Sequence, residues 1–336
     1  MIRALAAVLL PLLAVPAAKQ TPLPVLDMHL HAGAANDNGP PPVAICTSPM
    51  DMPTRDPARP WGEATRERVT KPPCANPVWS PATDAALLSD TVAAMKRRNV
   101  YGVLSGSIDR VAEWQKAAPG RFIKGHGFEI GESTTTPEEM RALFRDRRIE
   151  VLAEVTNQYN GVSSSDPRFE PYLAAAEEFD IPVGIHVGTG PVGAPYLAWP
   201  AYRASLHSAL TLEEPLLRHP KLRVYAMHAG WPMLDDMLAV LYTHPHLYVE
   251  VGVIIWNLPK AEFYRYLQRI VDAGFGKRVM FGSDQMVWPG VIERAIDIIE
   301  TAPFLTDAQK RDILYNNAAR FLRLSEAEIA RHHAGK

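Results

Sequence analysis

The 336-residue sequence contains only two cysteines, Cys46 and Cys74, and neither belongs to a close-spaced Cys/His cluster. Charge of one sign is also missing. The formal net charge is −2, so neither a basic nucleic-acid surface nor an acidic interaction tail is implied. No glycine-rich phosphate loop follows the first apolar strand, which argues against a nucleotide-binding doubly wound sheet. No Gly-x-Ser-x-Gly elbow surrounds Ser105, Ser107 or Ser283, so a serine nucleophile is not expected. Beyond the first residues no stretch is long and apolar enough to suggest a membrane span.

What is present begins with Met1-Ile2-Arg3, the apolar run Ala4 to Val15 broken only by Pro11, and the small residues Pro16-Ala17-Ala18. This is the layout of a secretory signal peptide over residues 1–18, with a retained membrane anchor as the alternative. The expected product is exported, periplasmic or secreted, with no membrane association once the signal is removed. In that compartment Cys46 and Cys74 would close their loop as a disulfide; two free thiols or soft metal ligands are the other options.

The stretch Pro24-Val25-Leu26-Asp27-Met28-His29-Leu30-His31 organises the rest. In a strand, residues i and i+2 point to one side, so His29 and His31 would project together near its C-terminal end. Two imidazoles so placed suit a borderline-soft divalent metal such as zinc. A proline-rich, irregular segment follows at 34–80, where Pro40-Pro41-Pro42, Pro72-Pro73 and other prolines preclude an uninterrupted helix or central strand. Trp61, Trp79 and the cysteine pair mark it as an ordered lid.

From Pro81 onward, apolar runs alternate with amphipathic segments. Strands are expected at 100–105, 121–128, 151–155, 181–187, 222–228, 247–253 and 278–282, with helices between them and a helix at 307–324. With the strand at Val25 this makes eight, the number that closes a (β/α)8 TIM barrel, with long insertions after strands 1 and 5. The barrel would occupy 19–324, and residues 325–336 would be a fraying tail. Active sites of such barrels lie at the C-terminal strand ends. Here those ends carry His29 and His31, Glu154, His186, His228 and Asp284 on strands 1, 4, 5, 6 and 8.

These residues resemble the amidohydrolase superfamily, most closely its amidohydrolase-related (family 2) branch. The matching motifs are Asp27-Met28-His29-Leu30-His31, Pro182-Val183-Gly184-Ile185-His186, His228-Ala229-Gly230, Phe281-Gly282-Ser283-Asp284 and the closing Tyr315-Asn316-Asn317-Ala318-Ala319-Arg320-Phe321-Leu322. The resemblance implies that His29, His31, His186 and Asp284 hold zinc or another divalent ion, with Asp284 also taking a proton from water. His228 would polarise substrate or shuttle protons beside one essential ion. With two ions it would become a ligand, and Glu154 would bridge them. One essential ion is the favoured expectation, two the alternative.

The function expected on this basis is hydrolysis of a small-molecule amide, ester or lactone. The alternatives are non-oxidative decarboxylation of an aromatic or muconate-type acid, and a non-catalytic periplasmic binding protein. A decarboxylase would need a cation for the substrate's carboxylate, for which Arg55, Arg59 and Arg203 are the loop candidates. His126 and His207 could also border a pocket. The partner is a small molecule, and a homo-oligomer is compatible with the sequence.

Overall fold

The alternation of apolar runs with amphipathic segments folds as its patterning requires. In the computed structural model, which describes residues 22–335, eight parallel strands form one nearly closed barrel. They are β1 (Val25–His31), β2 (Val100–Ser105), β3 (Phe122–Phe128), β4 (Val151–Val155), β5 (Val183–His186), β6 (Val224–Met227), β7 (Tyr248–Glu250) and β8 (Val279–Met280). Each pairs in parallel with the next. β8 returns to β1 where Met28 N–H donates to Phe281 O (2.9 Å) and Asp284 N–H donates to His29 O (2.8 Å). The proposed leader, residues 1–18, lies outside the described residues.

Side chains alternate across the strands, and the two faces join different cores. Leu26, Met28, Tyr101, Val103, Tyr225 and Met227 pack together inside the barrel. Val100, Leu104, Val183, Ile185, Val224 and Val249 pack outward against the helices. Burial on both faces explains why these strands are apolar throughout. Several helices begin where the sequence provides caps. Thr83 accepts from Ala86 N–H to open Asp84–Arg97, and Thr136 and Glu139 form a capping box around Pro137–Arg145. β7 and β8 are shorter than their apolar runs, because the chain turns into the site directly after Glu250 and Met280.

Two expectations change. The segment expected to fray is ordered over its described residues, 325–335: Ser325 and Glu328 form a capping box that starts the helix Glu326–His333. Its buried His332 stacks on Tyr101 (ring centroids 3.8 Å) and its Nδ1 meets Tyr315 Oη at 3.0 Å. Asn99 donates to both Pro22 O (2.9 Å) and His332 O (3.0 Å), tying the start of the described residues to the last helix. The lid at 34–80 is also more regular than its prolines suggest. The pair Ala44–Ile45 and Val78–Trp79 closes its base antiparallel, Cys46 and Cys74 form a disulfide, and Trp61–Thr70 is helical. Buried Trp61 donates from Nε1 to Val192 O (2.8 Å), latching this lid onto the loop after β5. No described helix is long and apolar enough to cross a membrane.

Candidate metal centre

A register shift between Asp27 and Leu30 interrupts β1 at the first of its histidines. His29 and His31 turn into one space, their Nε2 atoms 2.9 Å apart. Asp27, fully buried, braces this turn by accepting from His29 N–H and from Ser283 N–H, each at 2.9 Å. Burial raises the Asp27 carboxyl to about 7 despite those bonds. The same brace fixes the segment after β8, where Asp284 stands at φ 48°. His228, after β6, stands at φ 59°. Left-handed backbone at a non-glycine residue costs roughly 1–2 kcal/mol, so surrounding contacts must hold both side chains in place.

The structure brings all six expected residues into one cluster. Around one carboxylate oxygen of Glu154, Oε2, lie His29 Nε2 (3.4 Å) and His31 Nε2 (3.9 Å). Asp284 Oδ1 joins them at 2.9 Å from His31 Nε2 and 3.6 Å from His29 Nε2. The other oxygen, Oε1, meets His186 Nδ1 (2.6 Å) and His228 Nε2 (3.0 Å), and those two nitrogens are 3.0 Å apart. Glu154 therefore stands between two groups of donors. His186 and His228 thus meet at Glu154 Oε1, while His29 and His31 lie nearer Oε2.

The hydrogen bonds behind the rings determine what the rings present. His228 Nδ1 lies 2.9 Å from Gly252 O, a carbonyl that can only accept, so this nitrogen carries the proton and Nε2 offers a lone pair. His29 Nδ1 lies 3.2 Å from Glu250 Oε2, which as a carboxylate accepts the proton on that nitrogen. Ring nitrogens converging on carboxylates, with the opposite nitrogens of His29 and His228 pinned, are the donor set of a divalent cation. The trios His29–His31–Glu154, Glu154–His186–His228 and His29–His228–Asp284 each place ligand atoms within 4.8 Å of one another. The residues present thus fit a metal.

Electrostatics follow the same plan. Burial pushes the Glu154 and Asp284 carboxyls up, but the facing imidazoles outweigh it. His29, His186 and His228 hold Glu154 well below the carboxylate range, and His29 and His31 hold Asp284 below it. Burial opposes charge on His29, yet Asp284 and Glu154 draw its protonation well upward. Burial and the neighbouring His228 lower His186.

The remaining candidates fall outside the cluster. His126 Nδ1 is engaged with Gly106 O (3.1 Å). His207 is fully buried, wedged between His186 (centroids 5.3 Å) and Tyr202 (4.3 Å), and burial drives its pKa to about 3. Arg55 lies over the Tyr196 ring, Arg59 pairs with Glu67, and Arg203 donates to Pro200 O and Tyr202 O, so all three are occupied within the lids. A cavity of about 410 Å3 opens from His31 between Ser105, Ser107, Asn38, Arg110 and Met286. Glu250, at the end of β7 and fully buried, is the site residue that sequence reasoning missed. Its signal was an acidic residue inside the apolar run Leu247–Val253.

An eight-stranded parallel barrel with a histidine–carboxylate cluster at its C-terminal rim defines the class: a TIM-barrel enzyme with a candidate metal centre. The sequence profile of the amidohydrolase family, a family of metal-dependent enzymes, matches residues 26–324, and the chain belongs to that family. Comparison with curated protein sequences gave no significant match. Among solved structures, an uncharacterised TIM-barrel protein of Bordetella bronchiseptica aligns at a TM-score of 0.58 and 20% identity, over 92% of this chain and 100% of that one. The 5-carboxyvanillate decarboxylase of Sphingomonas paucimobilis aligns at 0.53 and 15%, over 91% and 100%. A probable 2-pyrone-4,6-dicarboxylic acid hydrolase of Acinetobacter baumannii aligns at 0.54 and 14%, over 89% and 99%. At these identities the likeness is one of fold.

Proposed function

We propose that the protein is a metal-dependent hydrolase of a small-molecule amide, ester or lactone. The observation that carries this reading is the division of donors by Glu154, whose two oxygens face separate groups. His29, His31 and Asp284 would hold one ion and His186 with His228 a second, Glu154 serving both. One essential ion is the expectation from sequence; these contacts support a reading with two, in which His228 would be a ligand rather than a free proton carrier. Divalent ions at these positions would lower the pKa of a water and polarise the substrate's carbonyl oxygen. The nitrogen and oxygen donors suit zinc, and manganese as well.

Asp284, kept ionised by His29 and His31, is the base at the edge of the cluster. It takes one proton from the attacking water, whose oxygen bonds to the acyl carbon. As the C–N or C–O bond breaks, Asp284 returns that proton to the departing nitrogen or oxygen. The alternative decarboxylase is less well supported. Among the described residues lining the cavity, the one guanidinium is Arg110, already bonded to Asp84 (2.7 Å) and Gly33 O (2.9 Å). A non-catalytic binding protein would not require a base at the cluster's edge. Export of the mature chain fits the Cys46–Cys74 disulfide.

Metal analysis of purified wild type and His228→Ala, paired with a screen of esters, lactones, amides and aromatic acids, tests this. Two ions in the wild type, one in the variant and turnover of an acyl substrate are expected. One ion in both proteins would return His228 to a proton-carrying role, and carbon dioxide release from an aromatic acid would replace the hydrolase reading.

A further inference from the structure

β7, like β2 and β3, gives no member to the six-residue cluster, yet its end touches a histidine from each donor group. Glu250 Oε2 receives the His29 Nδ1 proton at 3.2 Å, and two residues later Gly252 O receives the His228 Nδ1 proton at 2.9 Å. Glu250 is fully buried, and its other oxygen accepts from Gly252 N–H. A buried carboxylate with few partners is costly to retain, so its place here calls for an account. The surroundings are shaped around it. A side chain at Gly282 would run into Glu250, and one at Gly252 would collide with Glu250 and come within 3.0 Å of His29 Nδ1.

We infer that Glu250 is a positioning residue: it fixes the ring orientation and tautomer of His29 and raises the basicity of the Nε2 lone pair that His29 presents to a metal. A carboxylate behind an imidazole does this in two ways. It accepts the Nδ1 proton, which leaves Nε2 as the only ligand atom, and its charge favours electron donation through the ring. Gly252 O gives His228 the orientation without the charge. The two donor groups are therefore supported unequally from a single strand end, the His29 group by an anion and the His228 group by a neutral dipole.

This inference rests on the metal-site reading above, and the experiment separates the two. Metal-free protein is titrated with zinc, and binding isotherms are compared for the wild type, Glu250→Gln, Glu250→Asp and His29→Ala. Glu250→Gln keeps shape and removes charge. It is expected to weaken one binding step ten- to a hundredfold, the same step that His29→Ala abolishes, and to leave the other within twofold. Glu250→Asp keeps the charge at a longer reach and is expected to fall between the wild type and Glu250→Gln. Wild-type affinity in both Glu250 variants would overturn the positioning role, as would equal weakening of every step, which marks a general structural effect. A wild type that binds zinc in one step still tests the inference on that step. A wild type that binds no divalent ion would overturn the metal reading itself.

Discussion

Removing the Cys46–Cys74 bond should cost more than any single surface contact in the molecule. The bond joins positions separated by 28 residues in the chain. On the chain-entropy account, closing a loop of that length restricts the unfolded ensemble by about 3–4 kcal/mol at 25 °C. Whether that appears as global or local stability depends on what else holds the loop. Its base is paired through Ala44–Ile45 and Val78–Trp79, Ser48 N–H donates to Trp256 O, and Trp61 is buried with its indole bonded to Val192 O. Those contacts leave the stretch around Met50 to Arg59 exposed and irregular. Reduction should therefore loosen the lid first. The Cys46→Ser/Cys74→Ser variant should show a lower urea midpoint and new proteolytic cleavage between residues 46 and 74. The barrel helices should stay protected until global unfolding. A variant with the wild-type midpoint and cleavage pattern would refute the reasoning, since the native contacts alone would then hold the lid.

Two further outcomes are expected. His332 is buried against Tyr101, and burial, assisted by Arg331, lowers its pKa from 6.5 to about 4. The unfolded chain then binds more protons between those values, so its contribution is complete above pH 6.5 and is lost as pH falls toward 4. After allowance for solvent screening of Arg331 this is worth on the order of 2 kcal/mol, and His332→Phe should flatten that part of the stability–pH curve; an unchanged slope would contradict it. Asp284→Asn, measured at saturating metal, should retain the fold and lower turnover by about 10²–10⁴-fold, and near wild-type turnover would remove Asp284 as the base.

The barrel was legible because its strands are buried on both faces. Val100–Ser105 and Val151–Val155 form at their expected bounds, since a continuous apolar run between helix caps has few other places to go. The errors lie where local signals compete. Ser325-x-x-Glu328 is a capping box, but it sits in a polar terminal segment, and only the docking of His332 on Tyr101 makes the helix worthwhile. In the lid, prolines fixed where helix could not be, and Trp61–Thr70 formed in the gap between them. Its single buried residue, Trp61, is held by a loop more than a hundred positions away.

At the site, sequence order places the six side chains on strand ends but says nothing of how they face one another across the barrel mouth. That His186 meets His228 on one oxygen of Glu154, while His29 and His31 gather toward the other, depends on strand tilt and on the register shift in β1. Neither is encoded in local spacing. Glu250 was hidden for a related reason. Its strand is three residues long and reads as ordinary buried sheet, and its partner His29 lies 221 positions earlier in the chain. An ionisable residue on such a strand has no solvent to turn to, so it persists only where a partner on another strand accepts its charge. A buried acid in an apolar barrel strand is thus a pointer to the cluster even when it is not a ligand. Here it leads to the one histidine whose ring is gripped from behind by a carboxylate and faces two more in front.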